Sequence, residues 1–415
     1  MDANGTSPMT PHHSLLHSIL PAATYRPIVV FCIGLWGWGL NLYLLSRHHI
    51  DPAQLLQIHA IDKHSPMHKA VFSLATIITL LVTLNMWWYS LMKGQASTWT
   101  PLICYVLALA LVLWPGKGIY RKERERFVRV LRRLFSLNIL STVYFADIIL
   151  ADILTSFSNV FGDLFTTGCS ALGNPSDNPD ACHRDIFVPL LISLPYLIRL
   201  RQCISEYLES GGQTKRHLFN ALKYASAFPV IIISATQKRA DHWIAATGSV
   251  PSTWWINDTN LFRLWMFFVF INSMYSFWWD ISMDWSLINI TTTSPRTHQQ
   301  TPILRFRRHL HFNDPIWYYA AMTLDFVLRT TWSLKLSSHL YVKRLEGSIF
   351  TMELLEVFRR WVWVIFRMEN EWVKRATASL PTDNPVLLSM ESLQNPPPKL
   401  MTIREEDGDD DPSSK

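Results

Sequence analysis

Charged side chains interrupt several apolar stretches of this sequence, where a helix facing lipid would carry none. Lys223 lies in LFNALKYASAFPVIIISA, Arg329 in LDFVLRTTWSL, and the adjacent Arg359 and Arg360 in LLEVFRRWVWVIF. A charge inside a bilayer is costly unless it faces a partner or water, so such residues are read as lining a pathway or site. The excess of arginine and lysine indicates an anionic ligand.

Carboxylates accompany these cations in another stretch, NILSTVYFADIILADILTSFSNVFGDLF. Asp152 and Asp163 are eleven residues apart, which places them on nearly one face of a continuous helix, whereas Asp147 is rotated away. Thr155 and Asn159 join Asp152 on the inward stripe. This stretch therefore predicts hydrogen-bond acceptors beside the cations.

Some of these charges could neutralise one another without any ligand. Asp325 and Arg329 are four residues apart, and Glu356 and Arg360 repeat that spacing, so each pair can meet on one helix face. Intrahelical neutralisation is the main alternative to ligand binding. It leaves Lys223, and the arginine before Arg360, with no obvious local partner.

Phosphate suits such a cluster because its several oxygens satisfy arginine forks and a lysine point charge together. Carboxylates offset part of the charge of the empty site and accept hydrogen bonds from a protonated phosphate. Tyr224 and Trp332 are amphipathic and could form a constriction beside the cations. They are equally ordinary as packing aromatics, so this role stays open.

The elements that hold these residues are predicted to be transmembrane helices. The chain has 415 residues, 49% of them hydrophobic, with 18 Trp and 22 Phe, which is more apolar and aromatic than an ordinary soluble enzyme. Apolar segments long enough to cross a bilayer recur along it. We predict spans near 26–45, 69–92, 100–116, 138–165, 186–203, 218–236, 260–281, 316–338 and 348–367.

The first three spans are clean and the last six are interrupted by polar residues, which predicts a peripheral group beside a functional bundle. The fold class is all-α, a polytopic membrane helix bundle of nine to ten helices. The predicted segments are a lumenal N-terminus (1–25) without a cleavable signal peptide, peripheral helices (26–116), a basic cytoplasmic connector (117–137), the polar core (138–372) and a disordered cytoplasmic tail (373–415).

The basic connector sets the orientation, because loops rich in Lys and Arg stay in the cytoplasm. Alternation from there gives a lumenal N-terminus and a cytoplasmic C-terminus. A basic amphipathic segment on anionic headgroups is an equally good interpretation of 117–133. Cys169 and Cys182 fall in the predicted lumenal loop 166–185 and could pair there or stay free, whereas Cys32, Cys104 and Cys203 are expected to be packing residues.

No nucleophile motif, phosphate-binding loop or metal-ligand spacing is found, so we predict neither an enzyme nor a cofactor, a metal site or a nucleic-acid partner. The partners expected are phosphate and the lipid bilayer. A cytosolic sorting adaptor on the acidic, proline-containing tail is a further alternative, although a passive tail fits the same composition. The oligomeric state stays open, with a homodimer among the alternatives.

Six motifs, in order, resemble the EXS-domain family, which includes eukaryotic phosphate exporters and the yeast ER-retention-defective protein. The resemblance covers roughly residues 100–372, and the absence of a long cytosolic SPX domain before the first span is similar to the short, Golgi branch. The motifs are FADIILADILTSFSNVFGDL, LPYLIRLRQCISEY, HLFNALKYASAF, MYSFWWDISMDWSL, LDFVLRTTWSL and EVFRRWVWVIFRMENEW.

The resemblance implies a phosphate path through the six polar helices, the EXS core. It implies that Trp332 lies at a gate and that phosphate is contacted by Asp152, Lys223, Tyr224, Arg329, Arg359 and Arg360. Thr155 stands where exporters typically have Asn. It joins this set because a hydroxyl still hydrogen-bonds phosphate, although the reach and strength of that bond differ from those of Asn.

The implied function is a transporter of the Golgi membrane, with the ER membrane as the other possible site. It would return lumenal phosphate left by glycosylation to the cytosol and so support retention of lumenal proteins. The alternative is a non-transporting receptor or scaffold that recycles glycosyltransferases through its tail. The direction and coupling of transport, and the choice between a channel and alternating access, stay open.

Overall fold

Helices form nearly all of the ordered structure in the computed structural model of the chain. The model describes residues 21–56, 67–92, 99–114, 116, 120–172, 184–247, 258–291, 303–307, 309–330 and 347–378. The helices are α1 (Arg26–Arg47), α2 (Pro52–Leu55), α3 (Met67–Leu91), α4 (Trp99–Leu113), α5 (Arg121–Leu134), α6 (Phe145–Ser156), α7 (Ser158–Leu172), α8 (Arg184–Glu209), α9 (Lys215–Ala225), α10 (Ala227–Thr247), α11 (Asp258–Trp279), α12 (Ile316–Thr330) and α13 (Gly347–Ala378).

Several helices match a bilayer in length and composition. Within the described residues, four segments qualify as membrane spans, namely Ala23–Arg47, Met67–Leu91, Ile186–Glu209 and Lys215–Ala240, and the bent pair of α6 and α7 gives a fifth. Large apolar side chains of α3 and α4 point outward, as lipid-facing residues do, including Leu84, Trp87 and Leu109. The protein is therefore a multi-pass helical membrane protein.

The helix α1, one of the three clean helices, also contacts the polar helices. It packs against α3 on one side and α13 on the other. Gly34 allows α1 to approach the junction of α6 and α7, because a Cβ there would lie 2.4 Å from the ring of Phe157. A side chain on Gly39 would similarly meet Phe72 of α3 at 2.8 Å. The predicted peripheral group is thus in direct contact with the predicted functional bundle.

The predicted span 138–165 is wrong as one continuous helix. It consists of α6 and α7, which meet at Phe157 with a bend of 60°. The hydroxyl of Thr155 donates to the carbonyl of Asp152 at 2.7 Å, a back-bond that bends helices. Asp152 and Asp163 consequently lie on two helices, and the inference that they share one face is wrong.

Two more helices are irregular beside polar residues. The helical hydrogen-bond pattern is interrupted at Ser226, between α9 and α10, because Pro229 has no N–H to donate to the preceding turn. At the end of α11, a π-helical turn spans Asp280–Asp284, and the N–H of Trp285 donates to the carbonyl of Asp280 at 2.8 Å. Such turns are rare and recur at functional sites.

The predicted loop 282–315 contains a small β-hairpin, which an all-α prediction misses. Strand β1 (Ile288–Thr291) pairs antiparallel with β2 (Ile303–Phe306), and Ile288 lies opposite Phe306. Arg307, directly after β2, forms an ion pair with Glu369 of α13 at 2.5 Å. The hairpin is therefore anchored to the last helix.

Apolar packing fills the space between these elements. The largest cluster surrounds Trp285, Tyr318 and Trp363, all fully buried. Cys32, Cys104 and Cys203 are free and buried, which confirms the prediction that they are packing residues. Cys169 is disulfide-bonded, which favours the pairing alternative over a free thiol, and Cys182 lies outside the described residues.

Candidate functional site

Buried charges from six helices, namely α6, α8, α9, α11, α12 and α13, lie close together, and the backbone of α6, α9 and α11 is irregular beside them. Asp152 and Thr155 end α6, and Lys223 and Tyr224 end α9, so each pair lies beside a helix break. The π-helical turn contributes Asp280. The helices α12 and α13 supply the remaining buried or half-buried members, which are Asp325, Arg329, Glu356, Arg359 and Arg360.

Asp280 is the centre of this charge network. It is 0% exposed. Its carboxylate accepts from Lys223 Nζ at 2.9 Å and forms an ion pair with Arg329, and it lies 3.5 Å from Arg359 Nη1. One carboxylate thus holds cations from three helices.

A second set of ion pairs joins α12 to α13. Asp325 accepts from Arg329 Nε at 3.1 Å and from Arg359 Nη1 at 3.2 Å. Arg359 also donates to Glu356 at 2.6 Å. The Glu356 side chain is 38% exposed, which makes it the most exposed carboxylate of these ion pairs.

Asp152 forms a separate group with residues of α8 and α9. It accepts from Arg199 Nε at 3.1 Å and from the hydroxyl of Tyr224 at 2.5 Å. The Arg199 guanidinium also lies 4.8 Å from the centre of the Tyr224 ring, a favourable cation–π contact. Gln202 accepts a further hydrogen bond from Arg199 at 2.5 Å.

Arg360 differs from the other buried cations of the site. Its Nε donates to Ser156 at 2.9 Å and its Nη2 to Thr155 at 3.1 Å, so its contacts are hydroxyls. The guanidinium lies 4.6 Å from the centre of the Trp363 ring. Among the residues that the structure describes, no carboxylate forms an ion pair with Arg360, and its buried Nη1 has no hydrogen-bond acceptor. A buried donor of this kind requires an acceptor from elsewhere.

The predicted intrahelical pairs are half confirmed. The pair of Asp325 and Arg329 is present at 3.1 Å. The pair of Glu356 and Arg360 is wrong, because Glu356 instead binds Arg359, three residues away, and accepts from Ser156 at 2.8 Å. Neutralisation is therefore largely between helices. Trp332, the predicted gate, lies outside the described residues.

Sequence reasoning missed two buried charges of this network. Arg199 is 2% exposed and binds Asp152, and Asp280 binds three cations. Both lie in the motifs quoted above, and each is a charge in an apolar stretch, which is the criterion that selected the others. Their partners are distant in the chain, so spacing gave them no role. Within the described ranges, no three metal-ligating side chains form a cluster.

Comparisons with known proteins agree with the resemblance. Protein ERD1 homolog 1 of Schizosaccharomyces pombe is 30% identical over 361 residues, which cover 83% of this chain and 88% of that protein. Solute carrier family 53 member 1 of Mus musculus is 28% identical over 80% of this chain and 47% of its own length. SPX and EXS domain-containing protein 3 of Dictyostelium discoideum is 26% identical over 86% and 37%.

The family match is longer than the six motifs predicted. The model of the EXS family matches residues 22–373, which include α1, α3 and α4 as well as the polar helices. The direct packing of α1 on α13 is consistent with one unit that contains both groups. The chain belongs to the EXS family.

Proposed function

We propose that the protein carries inorganic phosphate across a membrane through the site at Arg360. The observation that supports this most directly is the buried guanidinium, whose Nη1 has no hydrogen-bond acceptor and whose hydrogen-bonded neighbours are hydroxyls. A buried cation without a negatively charged partner is costly, and a bound anion removes that cost. The name of one relative, a solute carrier, supports transport.

Phosphate fits the groups around Arg360. The free Nη1 supplies a donor, and the hydroxyls of Thr155 and Ser156 can turn to donate to a phosphate oxygen. Arg359 lies on the same helix turn and is held by Glu356, the most exposed carboxylate of its ion pairs. A phosphate that enters past Glu356 could compete for Arg359, so the acids would hold the cations until the anion replaces them.

The other predicted contacts then surround the entering anion. Lys223 and Arg329 hold Asp280, and Tyr224 holds Asp152. These pairs keep the empty path close to neutral, which a buried site requires. We propose that Lys223, Arg329 and Tyr224 contact phosphate during transport, when their carboxylate partners move away from them.

The finer membrane arrangement is part of this proposal. We propose nine to ten spans, with α11, α12 and α13 crossing the bilayer although they bear charges, because those charges face the bundle interior. The N-terminus would be lumenal and the C-terminus cytoplasmic. The proposed setting is the Golgi or ER membrane, where the protein would return lumenal phosphate from glycosylation to the cytosol.

Phosphate flux in proteoliposomes tests the proposal. The full chain is reconstituted as wild type, Arg360→Ala, Arg360→Lys and Arg121→Ala, the last being an exposed arginine on α5 paired with Glu125. Removing a charge-assisted contact of about 1.5–3 kcal/mol predicts roughly tenfold or greater loss of flux in Arg360→Ala. Arg360→Lys should recover part of the flux, because lysine restores the positive charge but not the planar, bidentate hydrogen bonding of a guanidinium.

The controls decide what a loss of flux means. Arg121→Ala should match wild type. The unfolding temperature of Arg360→Ala is measured beside its flux, because the substitution also removes contacts with Ser156, Thr155 and Trp363 and a loss of flux counts only in folded protein. Saturable flux in Arg360→Ala at the wild-type rate would refute the site. No saturable flux in folded wild-type protein would refute phosphate transport.

The trafficking scaffold is the second function that the sequence leaves open. It depends on the tail, and residues 379–415 lie outside the described residues. Truncation after residue 378 separates the two functions, since the transporter predicts unchanged flux and an adaptor site predicts lost recycling of glycosyltransferases.

A further inference from the structure

Two acidic side chains face each other away from the phosphate site. Glu353 of α13 is 3% exposed, and Asp163 of α7 is half-buried. Their carboxyl groups are within hydrogen-bond reach of each other. Oε1 of Glu353 is buried and has no hydrogen-bond partner. This carboxyl pair is separate from Asp152, Asp280 and the ion pairs described above.

A hydrogen bond between two carboxyl groups requires a proton. An ionised carboxylate only accepts, so one member must be protonated to donate to the other. If both were ionised, two like charges would lie in contact in a buried place, which is strongly unfavourable. We propose that Asp163 and Glu353 share one proton, and that binding and release of this proton is coupled to phosphate transport.

The surroundings allow the proton to leave as well as bind. The positive charges of Arg26 on α1 and Lys238 on α10 act on Asp163, and Arg26 also acts on Glu353. This positive charge offsets part of the cost of a second negative charge when the proton leaves. The hydroxyl of Tyr105 on α4 is the other titratable group whose interaction reaches Asp163. Apolar side chains of the same region, including Phe350 and Val160, limit access of water.

The carboxyl pair lies on the two helices that continue into the phosphate site, and the coupling therefore rests on the proposed function. Glu353 precedes Glu356 by three residues and Arg360 by seven, about one and two helical turns. Asp163 is on α7, six residues after the break at Phe157 that separates α7 from Thr155 and Ser156. Loss of the proton would place two negative charges between α7 and α13 and push these helices apart. Proton release would therefore open the contact next to Glu356.

Infrared spectroscopy tests the shared proton without phosphate. The purified full chain is measured near neutral pH as wild type, Glu353→Gln, Asp163→Asn and Glu209→Gln, the last being an exposed acid. We expect a protonated-carboxyl C=O band in wild type and in Glu209→Gln that is lost in both pair variants. The shared proton is refuted if Glu353→Gln and Asp163→Asn keep the wild-type band.

A pH gradient tests the coupling. Phosphate accumulation is measured in proteoliposomes with the membrane potential held at zero, at equal pH and with a gradient of one pH unit. One proton moved with each phosphate gives a limiting accumulation of about tenfold per pH unit. We expect wild type and Glu209→Gln to respond to the gradient, and Glu353→Gln to carry phosphate with a smaller response.

The outcomes separate this inference from the proposed function. If wild type carries phosphate and Glu353→Gln responds to the gradient as wild type does, the coupling is wrong and the phosphate site stands. If wild type carries no phosphate at either pH, the proposed function is wrong and the coupling falls with it. The infrared band then reports on the shared proton alone.

Discussion

The clean helices α1, α3 and α4 and the polar bundle of α6 to α13 are built from different interactions. The clean helices meet through apolar side chains such as Ile78, Val82 and Ala108, with isolated hydrogen bonds such as the one from Tyr25 to Asn85 at 2.6 Å. The polar bundle buries ion pairs between helices, centred on Asp280. The first group is thus suited to lipid and the second to an ion.

The helix geometry differs in the same way. The helices α1 and α3 are continuous over 22 and 25 residues, whereas α6 meets α7 at a bend of 60°, α9 ends at Ala225 and α11 continues into a π-helical turn. Each irregularity lies next to a charged residue of the site. In α6, α9 and α11 the regular helix therefore ends close to the charged side chains that meet in the site.

Removing the charge of Asp280 should cause the largest loss of stability in the polar bundle. Asp280→Asn leaves Lys223, Arg329 and Arg359 with too few carboxylates, and breaking a buried ion pair costs about 3–5 kcal/mol. We expect a loss of this size in the free energy of unfolding, measured by denaturant titration in detergent. Glu209→Gln, an exposed acid, should leave it unchanged. Equal stability of both variants would remove the distinction between the two regions.

A smaller loss of stability is expected for Tyr224→Phe, which tests one hydrogen bond of the polar bundle. The substitution removes one hydrogen bond to the ionised Asp152, and such bonds contribute about 1.5–3 kcal/mol. The ring and its contact with Arg199 remain. The same titration should show this loss, and phosphate flux should fall. Wild-type stability and flux would argue against any role for the Tyr224 hydroxyl.

The smallest effect belongs to the clean helices. Tyr25→Phe removes the hydrogen bond to Asn85, and such bonds between membrane helices average about 0.6 kcal/mol. We expect a loss near that value and phosphate flux equal to wild type. A large loss of flux in Tyr25→Phe would show that α1, α3 and α4 take part in transport, which contradicts the division drawn here.

Features that depend on neighbours in the chain could be predicted. The predicted spans 26–45 and 69–92 agree with α1 and α3 within a few residues, because apolar length alone defines them. The pair of Asp325 and Arg329 is present because four residues make about one helical turn. The pair of Glu356 and Arg360 obeys the same spacing and is absent, because Ser156 and Thr155 of another helix bind Arg360 instead.

The sequence by itself determined that this is a helical membrane protein with cations and carboxylates in its apolar segments, and its motifs determined the family. Only the tertiary structure decided which charges meet. Lys223 and Asp280 are 57 residues apart, and Asp163 and Glu353 come from different helices. The physical reason is that helix periodicity fixes the face on which a side chain lies, whereas its partner depends on how breaks and packing orient one helix against another.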